Sequence, residues 1–486
     1  MSETSPIGGK PVPIEVIEES LYEIRNKIHP RSVSGIFAKW RIILVILTQA
    51  LFYGLPWLSW NGRQAVLFDL VQRKFYIFSL VLWPQDIIYL TLLLIISALS
   101  LFLFTAVAGR LFCGYACPQT VYTEIFMWVE RKIEGDRFAR IKLDNKKWPW
   151  SFKKIRLKLS KHLVWLFIAF FTGFTFVGYF TPIHVLSDKL IHFTLGPWQT
   201  FWLCFYGFAT LGNAGFMREQ VCKYMCPYSR FQSVMVDKDT FVVTYDKIRG
   251  EPRGSRNKST DHTALGLGDC VNCSICVQVC PTGIDIRDGL QYMCIGCGAC
   301  IDACDQVMEK VNYPKGLIRY TSENAMQNKD AHQSIFKHIF RPRVIVYTAI
   351  IGILISVFLF SLVTRNPLRV DVMRDRGALA REVDGIRLEN IYRIQVMNSS
   401  EFPMKVSLKA KGLDDLKILN SQGREIEEIE VAPASNQLMP IKVSTMIGSS
   451  EPGNYPIHFD IEAQEFVGNK TLIRKRHEKS TFIIPR

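Results

Sequence analysis

Five long apolar stretches constrain the fold of this 486-residue chain more than any other feature. Each has about the 20 residues that an α-helix needs to cross the ~30 Å hydrocarbon core of a bilayer. Five such segments are hard to place in one soluble core, so the sequence predicts a multi-span membrane protein. The predicted spans are 42–60, 87–108, 163–181, 198–217 and 344–363.

The basic residues between these spans predict an orientation. Segment 109–161 holds thirteen Lys or Arg and five Asp or Glu, whereas loops 61–86 and 182–197 hold three and one Lys or Arg. The positive-inside rule therefore predicts that 109–161 and the N-terminus face the cytoplasm and that the tail after the fifth span lies outside. The net charge of +15 is explained by this orientation and by anionic lipid heads, so membrane lipids rather than nucleic acid are the expected partners.

The thirteen cysteines agree with this orientation, since all lie between residues 113 and 304. Twelve fall in segments predicted to face the cytoplasm, where thiols stay reduced. The thirteenth, Cys204, lies in the fourth predicted span and is expected to be a plain buried thiol. Because the tail has no cysteine, it has no disulfide framework.

Eight cysteines fall within residues 269–304, as two runs with the spacing C-x-x-C-x-x-C-x-x-x-C. This is the spacing of bacterial ferredoxins with two 4Fe–4S clusters, in which the fourth cysteine of each run binds the other cluster. Structural zinc is the alternative, but it uses four tetrahedral ligands, often as two separated pairs. The second run has Asp305 where the first has Pro281, which weakens the turn pattern but not the ligand count. The predicted ligands are Cys270, Cys273, Cys276 and Cys304 for the first cluster, and Cys280, Cys294, Cys297 and Cys300 for the second.

Two further cysteine pairs occur upstream, in LFCGYACP (111–118) and VCKYMCP (221–227). Each follows an inward-going predicted span, so the first four spans form two parallel repeats related by an axis along the membrane normal. We expect this axis to bring the pairs together near the inner surface, where their thiolates favour Cu(I), zinc or an iron–sulfur cluster. Buried thiols near helix ends are the alternative. The four candidate site residues are Cys113, Cys117, Cys222 and Cys226.

The remaining segments complete a multi-domain prediction. Residues 238–268 are rich in Gly, Arg and small polar residues and predict a loop-like lead into the cysteine module. Beyond 389, short alternating runs separated by Asn, Gly, Pro and Ser predict an antiparallel sandwich of immunoglobulin type. The predicted fold class is a multi-domain membrane protein with an α-helical membrane domain of five spans (two parallel repeats plus one), an α+β two-cluster ferredoxin module and an all-β immunoglobulin-like sandwich. The predicted segments are a tail 1–39, a four-span domain 40–237, the ferredoxin module 238–320, a linker 321–343, the fifth span 344–363 and the sandwich 364–486.

These motifs in combination resemble the FixG family, also called CcoG or RdxA. The resemblance rests on GRLFCGYACPQTVYTEIFMWVERKIEGDR, VCKYMCPYSRFQSVM and the eight-cysteine module, and it extends to GRQAVLFDL in the first outer loop and to the C-terminal sandwich. It implies a cytochrome c oxidase accessory protein of the bacterial inner membrane, with a cytoplasmic ferredoxin module, a periplasmic C-terminal domain and a homodimeric state. It also implies a cupric reductase that uses the paired CxxxCP cysteines to supply Cu(I) for assembly of cbb-type oxidase.

The predicted function is therefore reduction of Cu(II) to Cu(I), with copper as the substrate. Thiolates prefer Cu(I), and ferredoxin-type clusters deliver one electron at a time at low potential. The expected partners are an unidentified electron donor, a copper chaperone or transporter, and the cbb-type oxidase assembly machinery. Three alternatives stay open: a further cluster at the four CxxxCP cysteines, a quinol-linked electron-transfer subunit, and a non-catalytic assembly scaffold.

Overall fold

The computed structural model describes residues 27–146, 151–256, 265–327, 341–375, 380–383, 385–426, 428–448, 450–467 and 470–485. Parts of the predicted tail 1–39 and of the predicted linker 321–343 lie outside these residues. The described residues fall into two compact units. The first contains those within Met1–Val45, Phe104–Trp165 and Gly212–Ser334, and the second those within Ile46–Leu103, Leu166–Leu211 and Ile335–Arg486.

Among the described residues, four helices are long and apolar enough to cross a membrane, which makes the chain a membrane protein. They correspond to the first, second, third and fifth predicted spans, but the first ends at Trp57 instead of residue 60 and the third at Val177 instead of residue 181. The third begins eleven residues before the predicted span, with the basic turns FKKIRLKLSK, because Lys and Arg are good helix formers and lengthen the helix into water. The four spanning segments are Ile36–Trp57, Pro84–Ala108, Phe152–Val177 and Pro342–Val363.

The α-helices within the described residues are numbered in order. They are α1 Ile36–Gly54, α2 Ile87–Ala108, α3 Leu111–Tyr115, α4 Pro118–Glu134, α5 Arg137–Asp144, α6 Phe152–Val177, α7 Ile183–Ile191, α8 Pro197–Thr210, α9 Pro227–Met235, α10 Lys247–Gly250, α11 Ile275–Gln278, α12 Ala299–Val311, α13 Glu323–Gln327 and α14 Pro342–Val363. Two π-helical segments, π1 Leu211–Met217 and π2 Val221–Met225, lie between α8 and α9.

The fourth predicted span, 198–217, is helical but changes its hydrogen-bond register part-way. It begins as α8 and continues without a gap as π1, so it is not one of the four uninterrupted apolar helices. At its end the N–H of Arg218 donates to the carbonyl of Asn213, five residues earlier, at 2.7 Å. Such π-helical turns are frequent at functional sites. Here the register change comes directly before the second CxxxCP motif.

The first unit contains an α+β module around the eight clustered cysteines. Strands β6 (Val242–Tyr245) and β7 (Ile318–Thr321) pair antiparallel, and their side chains pack with those of α12 in a buried core. The loop-like prediction for 238–268 is wrong at β6. The β-branched run Val-Val-Thr finds a partner there that lies more than seventy residues away in the sequence, so the local composition could not indicate the pairing.

A carboxylate of this module caps the first membrane helix. Asp302, on α12, is buried and accepts hydrogen bonds from the backbone N–H groups of Phe37 at 3.3 Å and Ala38 at 2.8 Å. The first N–H groups of a helix have no partner within the helix, and a negative charge there also complements the helix dipole. The cysteine module therefore supplies the N-terminal cap of α1.

In the second unit, the segment between α1 and α2 folds as two small sheets rather than as an open loop. Their strands are β1 Ser59–Trp60 and β2 Arg63–Gln64 in one, and β3 Val66–Asp69, β4 Lys74–Ile77 and β5 Leu80–Leu82 in the other. The buried Asp86 that follows accepts charge-assisted hydrogen bonds from Arg365 at 2.6 Å and pairs with Arg369 at 2.8 Å. The indole N–H of Trp83 donates to Ser399 at 3.0 Å. These contacts hold the segment against the base of the C-terminal domain.

The C-terminal domain is a sandwich of two antiparallel sheets, as predicted. One sheet has the order β12-β14-β10-β8, with β9 beside β10, and the other has the order β13-β11-β15-β16. Their inner faces share one core of buried aliphatic and aromatic side chains, including Tyr392 and Phe459. The alternating runs beyond residue 389 locate the longer strands there, but they do not include β8, β9 and the short β12. The strands are β8 Leu368–Arg374, β9 Arg381–Val383, β10 Arg387–Asn398, β11 Met404–Lys411, β12 Lys417–Leu419, β13 Ile429–Val431, β14 Asn436–Met446, β15 Gly453–Val467 and β16 Lys470–Ile484.

Candidate metal centre

The structure brings the four predicted ligands of the first cluster around one cavity. Cys270, Cys273, Cys276 and Cys304 all line it. Cys270 and Cys276 are buried, whereas Cys273 is exposed, so one side of this site faces solvent. Cys304 comes from the second run, as the ferredoxin pattern of ligand exchange requires.

The four predicted ligands of the second cluster line another cavity. These are Cys280, Cys294, Cys297 and Cys300, and Cys276 of the first set also reaches its wall. All thirteen cysteines of the chain are free thiols. Because each cavity collects one complete ligand set, the residues present fit two 4Fe–4S clusters, and the donor set is all sulfur, as such clusters require.

Both cysteine runs share an unusual backbone conformation. The second residue after the first cysteine and the first residue after the second cysteine are left-handed in each run. Gly296 and Gly298 adopt it easily, but Asn272 (φ 51°) and Ser274 (φ 55°) adopt it despite carrying side chains. This curl turns amide N–H groups inward, so that the backbone of Gly296 hydrogen-bonds to the sulfur of Cys294. Amide donors of this kind tune cluster potential.

Burial disfavours the charged form of several predicted cluster thiols. Burial raises the pKa of Cys294 and Cys304 to about 12 and that of Cys276 to about 11. Among the described residues, no group of three or more His, Cys, Asp or Glu stands close enough to hold a single metal ion.

The two CxxxCP motifs have the same local geometry. In each, the N–H of the second cysteine donates to a carbonyl five residues earlier, from Cys117 to Phe112 at 3.0 Å and from Cys226 to Val221 at 2.8 Å. The second cysteine is extended and the proline after it opens the next helix, α4 or α9. Proline is favoured at that position because its missing N–H is not needed there. The two motifs therefore share one backbone turn, whereas the axis that relates the two pairs of spans stays a prediction.

The four CxxxCP thiols lie near one another. Burial, together with the proximity of Cys117 and Cys222, raises the pKa of Cys113 to about 12. Burial, with Cys117 and Cys226 nearby, raises the pKa of Cys222 to about 11. The thiol of Cys113 also donates to the side-chain carbonyl of the buried Gln232 at 3.5 Å. The first unit thus brings thiols of both motifs into one region, the thiol site, in which no three of them stand close enough to hold one metal ion together.

This thiol site lies directly beside the second cluster site. A Cβ atom added to Gly114 would lie 2.8 Å from the carbonyl oxygen of Ile295 and 2.9 Å from the Cα of Cys297. The hydroxyl of Tyr115 donates to the carbonyl of Cys297 at 3.2 Å, and Cys113 packs against the buried cluster that includes Cys297. Only glycine permits so close an approach of two backbones.

Sequence analysis did not identify Arg41 as a site residue. Its guanidinium lies beside the thiol of Cys297 and the carboxylate of Glu124, and it lines a cavity of about 30 Å³ that also reaches Cys222. The sequence does contain an indication of this role, because Arg41 lies within the apolar run IFAKWRIILVIL and a charged residue within a membrane span commonly marks a functional site. The predicted first span begins at residue 42, one residue later, and therefore does not include Arg41.

A buried ionic network supports the same region. Glu130 is fully buried and pairs with Arg218 at 3.0 Å and Arg140 at 3.2 Å. The ammonium group of Lys161 pairs with two carboxylates, that of Glu130 at 3.4 Å and that of Glu134 at 3.0 Å. Burial alone would raise the pKa of Glu130, but the surrounding positive charges lower it to about 2. The network ties α4, α5 and α6 to the turn before Cys222.

Family models match three parts of the chain. A 4Fe-4S dicluster domain matches residues 217–323 and a 4Fe-4S binding domain matches residues 90–135. The family described as an IG-like fold at the C-terminal of FixG matches residues 358–485. A crystal structure of a FixG-related protein from Vibrio parahaemolyticus is 24% identical, covering 24% of this chain and 97% of that chain, with a TM-score of 0.20.

Curated relatives match over nearly the whole length. Nitrogen fixation protein FixG of Rhizobium meliloti is 36% identical over 87% of this chain and 87% of its own. Protein RdxA of Cereibacter sphaeroides is 37% identical over 89% of this chain and 92% of its own. Protein RdxB of the same organism is 38% identical over 89% of this chain and 91% of its own. The chain thus belongs to the FixG/RdxA family of membrane-bound, iron–sulfur oxidoreductase-type proteins.

Proposed function

We propose that this protein is a cupric reductase, which converts Cu(II) to Cu(I) for copper-centre assembly of cbb-type cytochrome c oxidase. The observation that carries the proposal is the close approach of Gly114 to Cys297. The contact supports the proposal because it sets the turn that holds Cys113 against the turn that holds Cys297, a predicted cluster ligand, and Cu(I) can be held by as few as two thiolates. Electron transfer weakens with distance, so this contact favours a direct path between the two sites.

The thiol site suits copper in its reduced state. Soft thiolates prefer Cu(I), whereas Cu(II) prefers nitrogen and oxygen ligands, so binding here makes reduction more favourable. The 4Fe–4S clusters, when bound, supply electrons one at a time. Cu(II) gains one electron and becomes Cu(I), while the thiols release protons as their sulfurs bind the metal. Gln232 accepts the hydrogen bond of the Cys113 thiol and so orients that sulfur before copper arrives.

A second candidate is a third cluster at the CxxxCP cysteines. It is favoured by the 4Fe-4S binding domain match over 90–135, because the cysteines in that stretch are Cys113 and Cys117. In that case the four thiols pass electrons onward rather than hold copper.

Iron content separates the two candidates. Cys113→Ser and Cys222→Ser are purified anaerobically, and iron, sulfide and copper are quantified per chain. If the site holds copper, Cu(II)-dependent bleaching of cluster absorbance falls while iron stays at the wild-type level. If the site holds a third cluster, iron falls as well. Cys204→Ala is the matched control, because Cys204 packs in a separate apolar cluster of α6 to α8.

The same anaerobic preparation also tests the cupric reductase itself and the alternative of a non-catalytic scaffold. A wild-type protein whose dithionite-reduced clusters are not oxidised by Cu(II) would contradict the cupric reductase. A Cys294→Ser variant that has lost a cluster but still supports oxidase maturation would instead indicate a non-catalytic scaffold.

We also propose that the protein is a homodimer in the bacterial inner membrane. The charge distribution around the spans supports a cytoplasmic N-terminus and ferredoxin module and a periplasmic C-terminal domain. Its proposed partners are membrane lipids, an electron donor, a copper chaperone or transporter and the oxidase assembly machinery. Reporter fusions at residue 320 and at the C-terminus, which should show opposite sidedness, test this topology.

A further inference from the structure

The first unit contains a cavity of about 760 Å³ that the cupric reductase proposal does not use. Small-molecule sites are commonly clefts of ~300–1,000 Å³ with mostly apolar walls and a few polar groups. The cavities at the two cluster sites and beside Arg41 are far smaller, at about 20 to 30 Å³. This large cavity is therefore of the right size for a ligand with a fused aromatic ring system.

One wall of the cavity belongs to the second cluster site. Cys294, a predicted ligand, and Gly296 both line it. Tyr320, on β7, also lines the cavity and donates a hydrogen bond to the carbonyl of Gly296. A molecule in the cavity would thus lie against the cluster's binding loop without displacing any ligand.

The other walls suit a planar, amphipathic ring. Tyr245, Leu290 and Tyr292 provide apolar and aromatic surface, while Lys238 and Lys247 provide positive charge. Aromatic rings pack well against such side chains, and cations attract their faces.

The cavity also lies at the end of a membrane helix. Ala108, the last residue of α2, lines it. The hydroxyl of Thr240 donates to the carbonyl of Ala106 at 3.1 Å, and the N–H of Phe241 donates to that of Val107 at 3.1 Å, so the strand that forms the wall is fixed to this helix end. A carrier dissolved in the membrane would reach the cavity from there.

We propose that this cavity binds the electron donor, a carrier of the hydroquinone type such as a membrane quinol or a reduced flavin. The inference rests on the proposed reductase, which needs a source of electrons. Oxidation breaks two O–H or N–H bonds of the carrier's ring, releases two protons to the water at the partly open mouth and gives up two electrons. Two clusters held by the predicted ligand sets would each accept one electron, so that the two-electron donor would match two one-electron acceptors.

Leu290→Trp tests the proposal by filling the cavity. Leu265→Trp is the matched control, because Leu265 is 58% exposed, close to the 56% of Leu290, and is not on the cavity wall. Binding of menadione and of flavin mononucleotide to the oxidised full chain is measured by calorimetry. Bleaching of cluster absorbance is then followed with menadiol and with reduced flavin mononucleotide, in the absence of copper.

The expected result is that one probe binds, and that Leu290→Trp weakens its binding and slows bleaching by that probe about tenfold, a change of 1.4 kcal/mol. Bleaching by dithionite and iron content stay unchanged, and Leu265→Trp behaves as wild type. Binding of menadione alone assigns a membrane quinol, and binding of flavin mononucleotide alone assigns a flavin. If Leu290→Trp loses iron, Val236→Trp on another wall replaces it.

The proposal is overturned if neither probe binds the wild type, or if the filled variant binds and is reduced at the wild-type rate. These results do not depend on copper. Oxidation of dithionite-reduced clusters by Cu(II) in the same samples reports separately on the cupric reductase, so the failure of either proposal is distinguishable.

Discussion

Gly114 lies against the backbone of Cys297, with no room for a side chain between them. We expect Gly114→Ala to push the CxxxCP turn away from the cluster turn, at a cost of about 1–3 kcal/mol in the free energy of unfolding. Oxidation of pre-reduced clusters by Cu(II), measured by stopped flow, should slow while total iron stays constant. Gly212→Ala is the control, because an added Cβ there meets nothing within 4 Å. An unchanged rate in Gly114→Ala would show that the contact does not set electron transfer.

Arg41 places a positive charge beside Cys297, and reduction adds negative charge to the cluster there. We expect Arg41→Gln to lower the midpoint potential of the second cluster by about 60–120 mV, since a hydrogen bond to a charged group contributes about 1.5–3 kcal/mol and 59 mV corresponds to a tenfold change in a one-electron equilibrium. A redox titration followed by electron paramagnetic resonance measures the shift. Lys39→Gln, exposed and two residues earlier on the same helix, should leave both potentials unchanged.

Glu130 is the buried carboxylate around which four cationic side chains gather, those of Lys27, Arg140, Lys161 and Arg218. We expect Glu130→Gln to lower the free energy of unfolding by about 3–5 kcal/mol, because it leaves buried positive charges uncompensated. The pKa of Glu130 is lowered to about 2 in the folded protein. Its contribution to stability is therefore fully present above the unfolded value of about 4.3 and is lost as the pH falls toward 2.

Thermal unfolding in detergent between pH 7 and pH 2 measures both effects. The wild type should lose the Glu130 contribution at the acid end of this range, and the variant should lack that step. Asp188→Asn serves as a surface control, because the Asp188 side chain is 72% exposed. Equal stability of wild type and Glu130→Gln at neutral pH would contradict the role of the network.

Asp86 pairs with Arg365 and Arg369 at the base of the sandwich. We expect Asp86→Asn to leave two partly buried guanidinium groups without their counter-charge and to expose the segment around them to limited proteolysis. Digestion should become several-fold faster than in the wild type, whereas the exposed Asp414→Asn should not change it. A digestion rate equal to that of the wild type would show that the ion pairs do not hold this junction.

Much of this architecture is predictable from the sequence because the signals are local. Apolar runs of membrane length locate four spans, and alternating runs indicate the sandwich. The cysteine spacing is equally local, and each predicted ligand set lines its own cavity. The assignment of those ligands, of the CxxxCP thiols and of the segment boundaries stays a prediction.

The features that were missed depend on partners far apart in the chain. Strand β6 forms because β7 pairs with it. The small sheets after α1 are held by ion pairs between residues far apart in the sequence, from Arg63 to Glu401 and from Asp86 to Arg365. Gly215, within π1, has little room for a side chain, because a Cβ atom there would lie 3.2 Å from the ring of Trp165, which is distant in the sequence. Arg41 acquires its role only when the second cysteine run folds against it.

The cap that Asp302 provides to α1 has a consequence for biogenesis. Phe37 and Ala38 leave the ribosome some 265 residues before the carboxylate that they bind. The first span therefore enters the bilayer with its leading turn unsatisfied, and it is completed only after the cysteine runs have been translated and folded. The seating of the first span is in this way tied to the folding of a segment far downstream in the chain.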